Sequence, residues 1–431
     1  MSSLPTPKIT RRRLLTAFGA AGAALVAQSA CAGPGSGNKS AGAPQTAGPV
    51  EGQVSFAHWR AEDKKVFDEI IAEFVKANPK VTVQQDISSS NDYQSTALQK
   101  IRSGTVGDAF VAFRGAQFVN MVKAGIYSDL SSQSFVSAYE PKFLEAGKSD
   151  GKQYGLPYNL ALNMPVYNKD LLPKGGVSEP PKDWDGFLAM CDKLKSAGLI
   201  PIAWPGGEAG NAGHLLNSMV MNNAPSDDMF AKIESGQYKV TDDWFLKTLD
   251  QYAQLRPYFQ PNSAGTAVEP AQQIFASKKA AMLATGSFHM GAVRALGAKF
   301  PMDLLAPITV PADKAKYEGI YNATFILGVN TQSKKQSAAL KFVEYLSTPA
   351  VGTVYANGST QHITLKGVDY QNADLKATEP WLTRKTLLAP RFQFNNLDIR
   401  AAVENAAIEV VKGTAPQQAA EQAQRIVDQR R

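Results

Sequence analysis

Apolar positions along this 431-residue chain switch repeatedly between the period of a strand and the period of a helix. Residues 53–59 form a short apolar-rich run that predicts a strand. Val66, Phe67, Ile70, Ile71, Phe74 and Val75 then recur at helical spacing until Asn78-Pro79 stops them. Val81-Thr82-Val83 predicts a second strand, 93–101 a helix and 109–113 a buried strand. A helix over 117–123 ends at Gly125, placed to cap it. Further on, Asp183 is a candidate N-cap for a helix that opens at Trp184. The stretch 165–305 is richer in helix. Residues 325–330 predict another buried strand, and 333–346, 399–412 and 419–429 predict helices. Strands alternating with helices imply a mostly parallel sheet covered by helices, hence an α/β fold.

The first fifty residues follow a different rule. Arg11, Arg12 and Arg13 precede an apolar run, 17–27, that ends in small residues. A cationic segment, a short apolar segment and a small-residue cleavage site make a secretory signal, and the run is too short to span a bilayer. The paired arginines suit twin-arginine export; an Arg-rich Sec signal is the alternative. Gln28-Ser29-Ala30-Cys31 is similar to a bacterial lipobox, with Gln where Leu is preferred, which makes Cys31 the expected lipidation site and membrane anchor. Ala30-Cys31-Ala32 also fits a plain cleavage that would release the protein. Residues 32–50, mostly Gly, Ala, Ser and Pro, have the composition of a flexible linker. The expected division is therefore a signal over 1–31, a linker over 32–50 and a folded body beyond.

The body has room for two domains. The formal charge is +7, but Lys8 and Arg11–Arg13 lie in the signal, and removing those four leaves +3. With no dense basic stripe, that charge argues against nucleic acid as partner. Beyond Cys31 the chain has only Cys191, so no internal disulfide framework is expected. No second apolar run reaches spanning length.

Several marks occur in a fixed order. Gly107-Asp108 precedes a strand and is followed by Ala124-Gly125-Ile126-Tyr127-Ser128-Asp129-Leu130. Tyr154-Gly155-Leu156-Pro157 precedes Val166-Tyr167-Asn168-Lys169-Asp170-Leu171. Pro180-Pro181-Lys182-Asp183-Trp184-Asp185 comes next, then 279–288, which reads KAAMLATGSF. Together, over 52–431, this order resembles the extracellular solute-binding proteins of ABC importers, in the sugar-binding, maltose-binding-protein-like family. The resemblance implies a periplasmic-binding-protein-like fold: two discontinuous α/β lobes joined by a hinge, with a ligand cleft between them. It places crossings near 160–165, 306 and 360, giving one lobe of 52–160 plus 307–360 and another of 165–305 plus 365–431. It implies a monomer that captures a mono-, di- or oligosaccharide outside the cell by hinge closure. The solute would then pass to permease subunits in the membrane. No cofactor and no catalysis are implied.

A sugar presents hydroxyls, which need directional polar partners, and a C–H face, which suits an aromatic ring. The candidates therefore lie in loops after strands. Trp59 and Arg60 follow the first strand, with packed Trp59 and a surface-paired Arg60 as the alternative. Arg114 and Gln117 follow the third. Tyr158, Asn159 and Asn163 lie at the first crossing. Trp204, Glu208, Asn211 and His214 lie in or beside a Gly/Ala-rich loop. Gly286, Phe288 and His289 close the 279–288 motif; the resemblance puts Phe288 where the family commonly has a stacking Trp, which suits a smaller sugar. Tyr321 and Asn322 precede the 325 strand, and Asn395, Asn396 and Asp398 precede a late helix. Asn396 could instead be a helix cap. Trp184, Trp244 and Cys191 are expected in the core.

An exported carbohydrate-active enzyme is the rival class. The chain carries no nucleophile elbow, P-loop or zinc-protease motif, and its four histidines, at 58, 214, 289 and 362, lack metal-ligand spacing. Among binding proteins, a glycerol-phosphate-type solute is the alternative, because Arg60 and Arg114 could serve a phosphate as well as a sugar hydroxyl.

Overall fold

The computed structural model describes residues 42–44 and 46–431; the signal, Cys31 and residues 32–41 of the linker lie outside them. Two sheets organise the body. The larger is built from β1 (Gly52–His58), β2 (Val81–Ile87), β3 (Ala109–Ala112), β6 (Leu156–Leu162), β11 (Gly319–Val329), β12 (His362–Ile363) and β13 (Thr386–Leu388), with a small hairpin of β4 (Lys148–Ser149) and β5 (Lys152–Gln153) outside it. Its order is β12-β6-β11-β3-β1-β2, with β13 alongside β11. The smaller sheet is ordered β10-β7-β9-β8, from β7 (Val166–Asn168), β8 (Ile200–Ala203), β9 (Ala280–Leu283) and β10 (Met302–Leu304).

Local chemistry explains the elements. β1 and β2 pair in parallel, so their connection must cross over, and the helix Lys64–Ala77 supplies the crossover. Its Val66, Phe67, Ile70, Ile71 and Phe74 are buried, as their spacing requires. Every residue of β3 and β6 is buried, which is the pattern of strands covered on both faces. Asp183 accepts a hydrogen bond from the Gly186 amide and caps the helix Trp184–Ser196.

Each sheet has its own core. The first gathers Val54–Tyr158 and Phe325–Leu375; the second gathers Leu162–Val310, Ile320 and Trp381–Val427. Trp184 and Cys191 are buried in the second core and Trp244 packs partly buried against it. Ile308 and Val310, expected in the first lobe, pack in the second core, and Leu365 and Leu375 pack in the first.

The antiparallel pair β6–β11 passes through both cores. Tyr158 belongs to the first and Leu162 to the second; Ile320 belongs to the second and Phe325 to the first. Phe325 has φ +55, and its own pairing in the ladder is skipped while the register holds on both sides, Thr324↔Asn159 and Ile326↔Pro157. A bulky residue in the left-handed region costs roughly 1–3 kcal/mol and persists only where its surroundings hold it. The Phe325 ring is held by Phe67 at 6.1 Å, stacked, and by Trp59 at 5.1 Å, edge-on.

The described end of the expected linker lies against the body. Gly42 O accepts from the Asp129 amide at 3.1 Å, and the Gly48 amide donates to Ser337 Oγ at 3.1 Å. Among the described residues no helix is long and apolar enough to cross a membrane.

Candidate functional site

The β6–β11 ribbon carries polar side chains where it passes between the cores. Thr324 stands opposite Asn159 and Asn322 opposite Ala161, and the Asn163 amide continues the ladder to Ile320 O at 2.9 Å. Side chains alternate along a strand and match across a pair, so Asn159, Asn163, Asn322 and Thr324 share one face. Asn159 Oδ1, Thr324 Oγ1 and the end of the Asn163 amide that points away from His214 are buried without a protein partner. Buried amide and hydroxyl groups are nearly always satisfied, so three orphans on one face mark a place for polar atoms of another molecule.

Each neighbour of this face is positioned by the fold. Asn159 Nδ2 donates to Tyr355 Oη at 2.9 Å, and Tyr355 Oη donates to Asp63 at 2.6 Å. Asp63 also takes the Arg60 guanidinium through two hydrogen bonds, one of 2.9 Å from Nη2 to Oδ1. Arg60 is thus buried and compensated, with the more exposed Glu62 at 3.2 Å. Ser287 Oγ accepts from the Leu162 amide at 3.0 Å and ties the 286–289 loop to the ribbon. A Cβ on Gly286 would lie 2.3 Å from the Phe288 ring and 2.9 Å from Leu162 O, so only glycine lets that ring and the strand approach together. Phe288 lies 5.0 Å from the His214 ring and 4.5 Å from His289. Burial, reinforced by Arg60, pushes His289 down to about 3, and burial, with Arg391 and His289 adding to it, holds His214 well below 6.5. Both imidazoles are therefore neutral donors or acceptors at pH 7. Arg114 donates from Nε to Asn322 Oδ1 at 2.9 Å and from Nη2 to Ala389 O at 2.7 Å.

Of the sequence candidates, Arg60, Arg114, Asn159, Asn163, Gly286, Phe288, His289 and Asn322 converge here, together with His214. Trp59 is half-buried and stacks on Phe113 at 3.7 Å, with Tyr93 and Phe325 beside it. Tyr158 packs on Tyr355 at 5.1 Å, and Tyr321 sets its ring edge-on to Phe143 at 5.8 Å.

Others have structural roles. Gln117 accepts from the Phe113 amide and donates to Tyr93 O, fixing the loop after β3. Trp204 is fully buried, stacked on Phe259 at 5.0 Å, so it is core rather than a ligand platform. The Gly/Ala-rich stretch after it is short, because the helix Ala209–Val220 already begins there. Glu208 accepts from Asn211 Nδ2 at 2.5 Å and from the Val268 amide at 3.2 Å, a latch between segments. Asn395 is exposed, its amide bound to Glu234; Asp398 is exposed, 3.4 Å from Arg430; Asn396 caps the helix Leu397–Lys412.

Sequence reasoning missed Thr324, Gln361, Arg391, Arg400 and Glu404. Gln361 Nε2 lies 3.5 Å from Phe288 O. Arg391 bonds His214 Nε2 at 3.2 Å and Gly210 O at 2.6 Å, and pairs with Glu404 at 2.9 Å. One signal was available: Glu404 sits among Ile399, Ala402, Val403, Ala406 and Ala407, an apolar stripe where a charge demands a buried partner. Among the described residues no cluster of His, Cys, Asp or Glu is placed to hold a metal. A cavity of about 480 Å³ lies away from this face, between β1–β2 and the helix Ser90–Arg102; Tyr93 and Lys100 line it, with only first-lobe residues.

Two α/β lobes meeting across a paired-strand ribbon, with amides and rings gathered at that ribbon, define a periplasmic-binding-protein-like fold. Residues 59–353 match the family described as bacterial extracellular solute-binding protein, and the chain belongs to that family. The multiple sugar-binding protein of Streptococcus mutans is 23% identical over 325 residues, 73% of this chain and 76% of that protein. A chitin oligosaccharide binding protein superposes with TM-score 0.76 at 20% identity, covering 89% of this chain and 99% of that one. The bacterial solute receptor AcbH, described with an exclusive preference for β-D-galactopyranose, gives 0.75 at 18% identity, covering 88% and 98%.

Proposed function

We propose that this protein captures a carbohydrate outside the cell and delivers it to the membrane permease of an ABC importer, without chemistry on the solute. The observation that carries this reading is the ribbon face, where orphaned amide and hydroxyl groups of Asn159, Asn163 and Thr324 stand near the Phe288 ring. Hydroxyls of a pyranose satisfy the first, and its C–H face suits the second. The names of relatives agree: one binds multiple sugars, one chitin oligosaccharides, one galactopyranose. A single ring at 288, Phe rather than Trp, favours a mono- or disaccharide. Capture proceeds by closure of two lobes about the β6–β11 ribbon and the 375–381 passage. Lipidation at Cys31 would hold the protein on the outer face of the membrane, and the signal directs export.

A thermal-shift screen of neutral sugars and polyol phosphates on the exported protein tests the reading. A solute at saturating concentration raises the melting temperature by mass action. Neutral or acidic sugars that shift it support a carbohydrate receptor. A response to glycerol 3-phosphate with none to any sugar replaces it with the polyol-phosphate alternative.

A further inference from the structure

Beside the ribbon face two guanidiniums share one carboxylate, and a third stands by the Phe392 turn next to them. Arg114 comes from the first lobe, after β3. Arg391 and Arg400 come from the second, at and after the 3₁₀ turn Pro390–Gln393. The Phe392 ring touches two of them, its centroid 5.2 Å from the Arg114 guanidinium and 5.6 Å from that of Arg391. Among the described residues Glu404 is the one acid paired with them: it lies 2.9 Å from Arg391 and reaches Arg400 only at 3.9 Å. Arg114 has neutral acceptors, Asn322 Oδ1 and Ala389 O, and no acidic ion-pair partner among the described residues. Arg400 donates to Gln94 Oε1 at 3.2 Å, and its Nε is buried without a hydrogen-bond partner, as is Arg391 Nε by hydrogen-bond geometry. Arg60, by contrast, is balanced by Asp63. The cluster therefore carries two positive charges in excess.

Uncompensated buried charge is costly, and proteins rarely keep it unless something pairs with it. Burial lowers Arg114 to about 10, and burial and the neighbouring Arg391 lower Arg400 to about 10, so the sites themselves resist the charge they carry. The contacts Arg114–Ala389 and Arg400–Gln94 both run from one core to the other. Closing the lobes therefore brings like charges together, and an anion between them would turn that repulsion into attraction.

We propose that the solute is anionic: a sugar-sized polyol bearing a carboxylate or phosphate, whose charged oxygens sit between Arg114 and the Arg391–Arg400 pair. This rests on the reading of the ribbon face as the solute site, and narrows the substrate class within it. Planar guanidiniums bind such oxygens with two parallel donors, which is why arginine rather than lysine suits the position.

The test measures thermal unfolding at fixed ionic strength with D-galactose, D-galacturonate, glycerol 3-phosphate and inorganic phosphate as probes. It compares wild type with Arg114→Gln, Arg400→Gln and the charge-keeping Arg400→Lys. The expected result is stabilisation by the anions beyond any from galactose, with at least a tenfold loss of anion affinity in each Gln variant and partial retention in Arg400→Lys. Ligand-free Arg400→Gln should also melt above wild type, since it loses an unpaired charge. Galacturonate acting alone identifies a sugar acid. Glycerol 3-phosphate and phosphate acting while neither sugar does would keep the anion and end the carbohydrate reading. Galactose matching galacturonate, with phosphate inert, would overturn the charge inference and leave the carbohydrate reading standing. Anion shifts that are absent, or equal in wild type and Gln variants, overturn it outright.

Discussion

Arg391 Nη1 lies 3.2 Å from His214 Nε2, and this contact fixes both a proton and an amide. A guanidinium only donates, so Nε2 must accept, and a neutral His214 then carries its proton on Nδ1. Asn163 faces that nitrogen at 3.0 Å, so it must present its oxygen there and turn its amino group toward the ribbon face. The site thereby gains a donor beside the acceptor Asn159 Oδ1. Nitrogen NMR of His214 should show the Nδ1–H form from pH 8 to pH 6.5, because burial and Arg391 hold its pKa well below 6.5. A doubly protonated ring in that interval contradicts the assignment. Asn163→Asp removes the donor and should weaken solute binding about tenfold or more.

Phe288 and Trp204 separate site from core. Phe288 is half-buried beside His214 and His289, whereas Trp204 is fully enclosed by the second core. Phe288→Ala should reduce solute affinity about tenfold, from the roughly 1 kcal/mol or more of a lost ring contact, with little change in stability. Trp204→Ala should cost about 3–5 kcal/mol of stability while the folded fraction binds normally. Calorimetry and denaturant titration on the two variants check this; the reverse pattern would exchange their roles.

The contrast explains what could be read from the chain. The Lys64–Ala77 helix and the β1, β3 and β11 strands were legible because their apolar spacing reports one buried face or two. Phe288 was legible because it closes an ordered motif, Asn159 because it lies at the expected first crossing, and Asn322 because it falls just before the 325 run. Trp204 misled: an aromatic after a strand beside glycines looks the same whether its ring meets solute or Phe259, and only packing decides. Arg391 and Glu404 were hidden for the opposite reason. Thirteen positions separate them in sequence, and their meaning arises from His214, 177 residues from Arg391. The late return of the chain to the second core, at Trp381 rather than near 360, left no compositional mark.

Stability should fall in mild acid. His58 and His362 are 0% and 1% exposed, and burial pushes each down to about 4. In the unfolded chain each titrates near 6.5, so between pH 6.5 and 4 the unfolded state binds the extra protons. Their contribution is complete above pH 6.5 and declines as pH falls toward 4. By pH 5 each should have cost about 2 kcal/mol, at about 1.4 kcal/mol per unit. Urea titrations at pH 7.5 and pH 5 measure the loss, and His362→Gln should remove about 2 kcal/mol of it, the remainder coming from His58, His214 and His289. A stability independent of pH over that interval would show that these imidazoles are not buried neutral.

Gly115 offers a handle on closure itself. It joins β3 to the helix Ala116–Lys123 at φ +84, and a Cβ there would lie 2.4 Å from Phe392 O. Residues before and after it belong to the first core, while Phe392 packs against the second. The contact is backbone against backbone, so no side chain can yield, and Gly115→Ala must part the lobes or distort one of them. Since the two cores pack separately, separation at the contact disturbs less than distortion within either. The variant should therefore favour the open form, enlarge the radius of gyration of the ligand-free protein and weaken solute binding about tenfold. Small-angle scattering with and without solute reads this directly. Unchanged scattering and affinity would mean that the 115–392 contact is not part of closure.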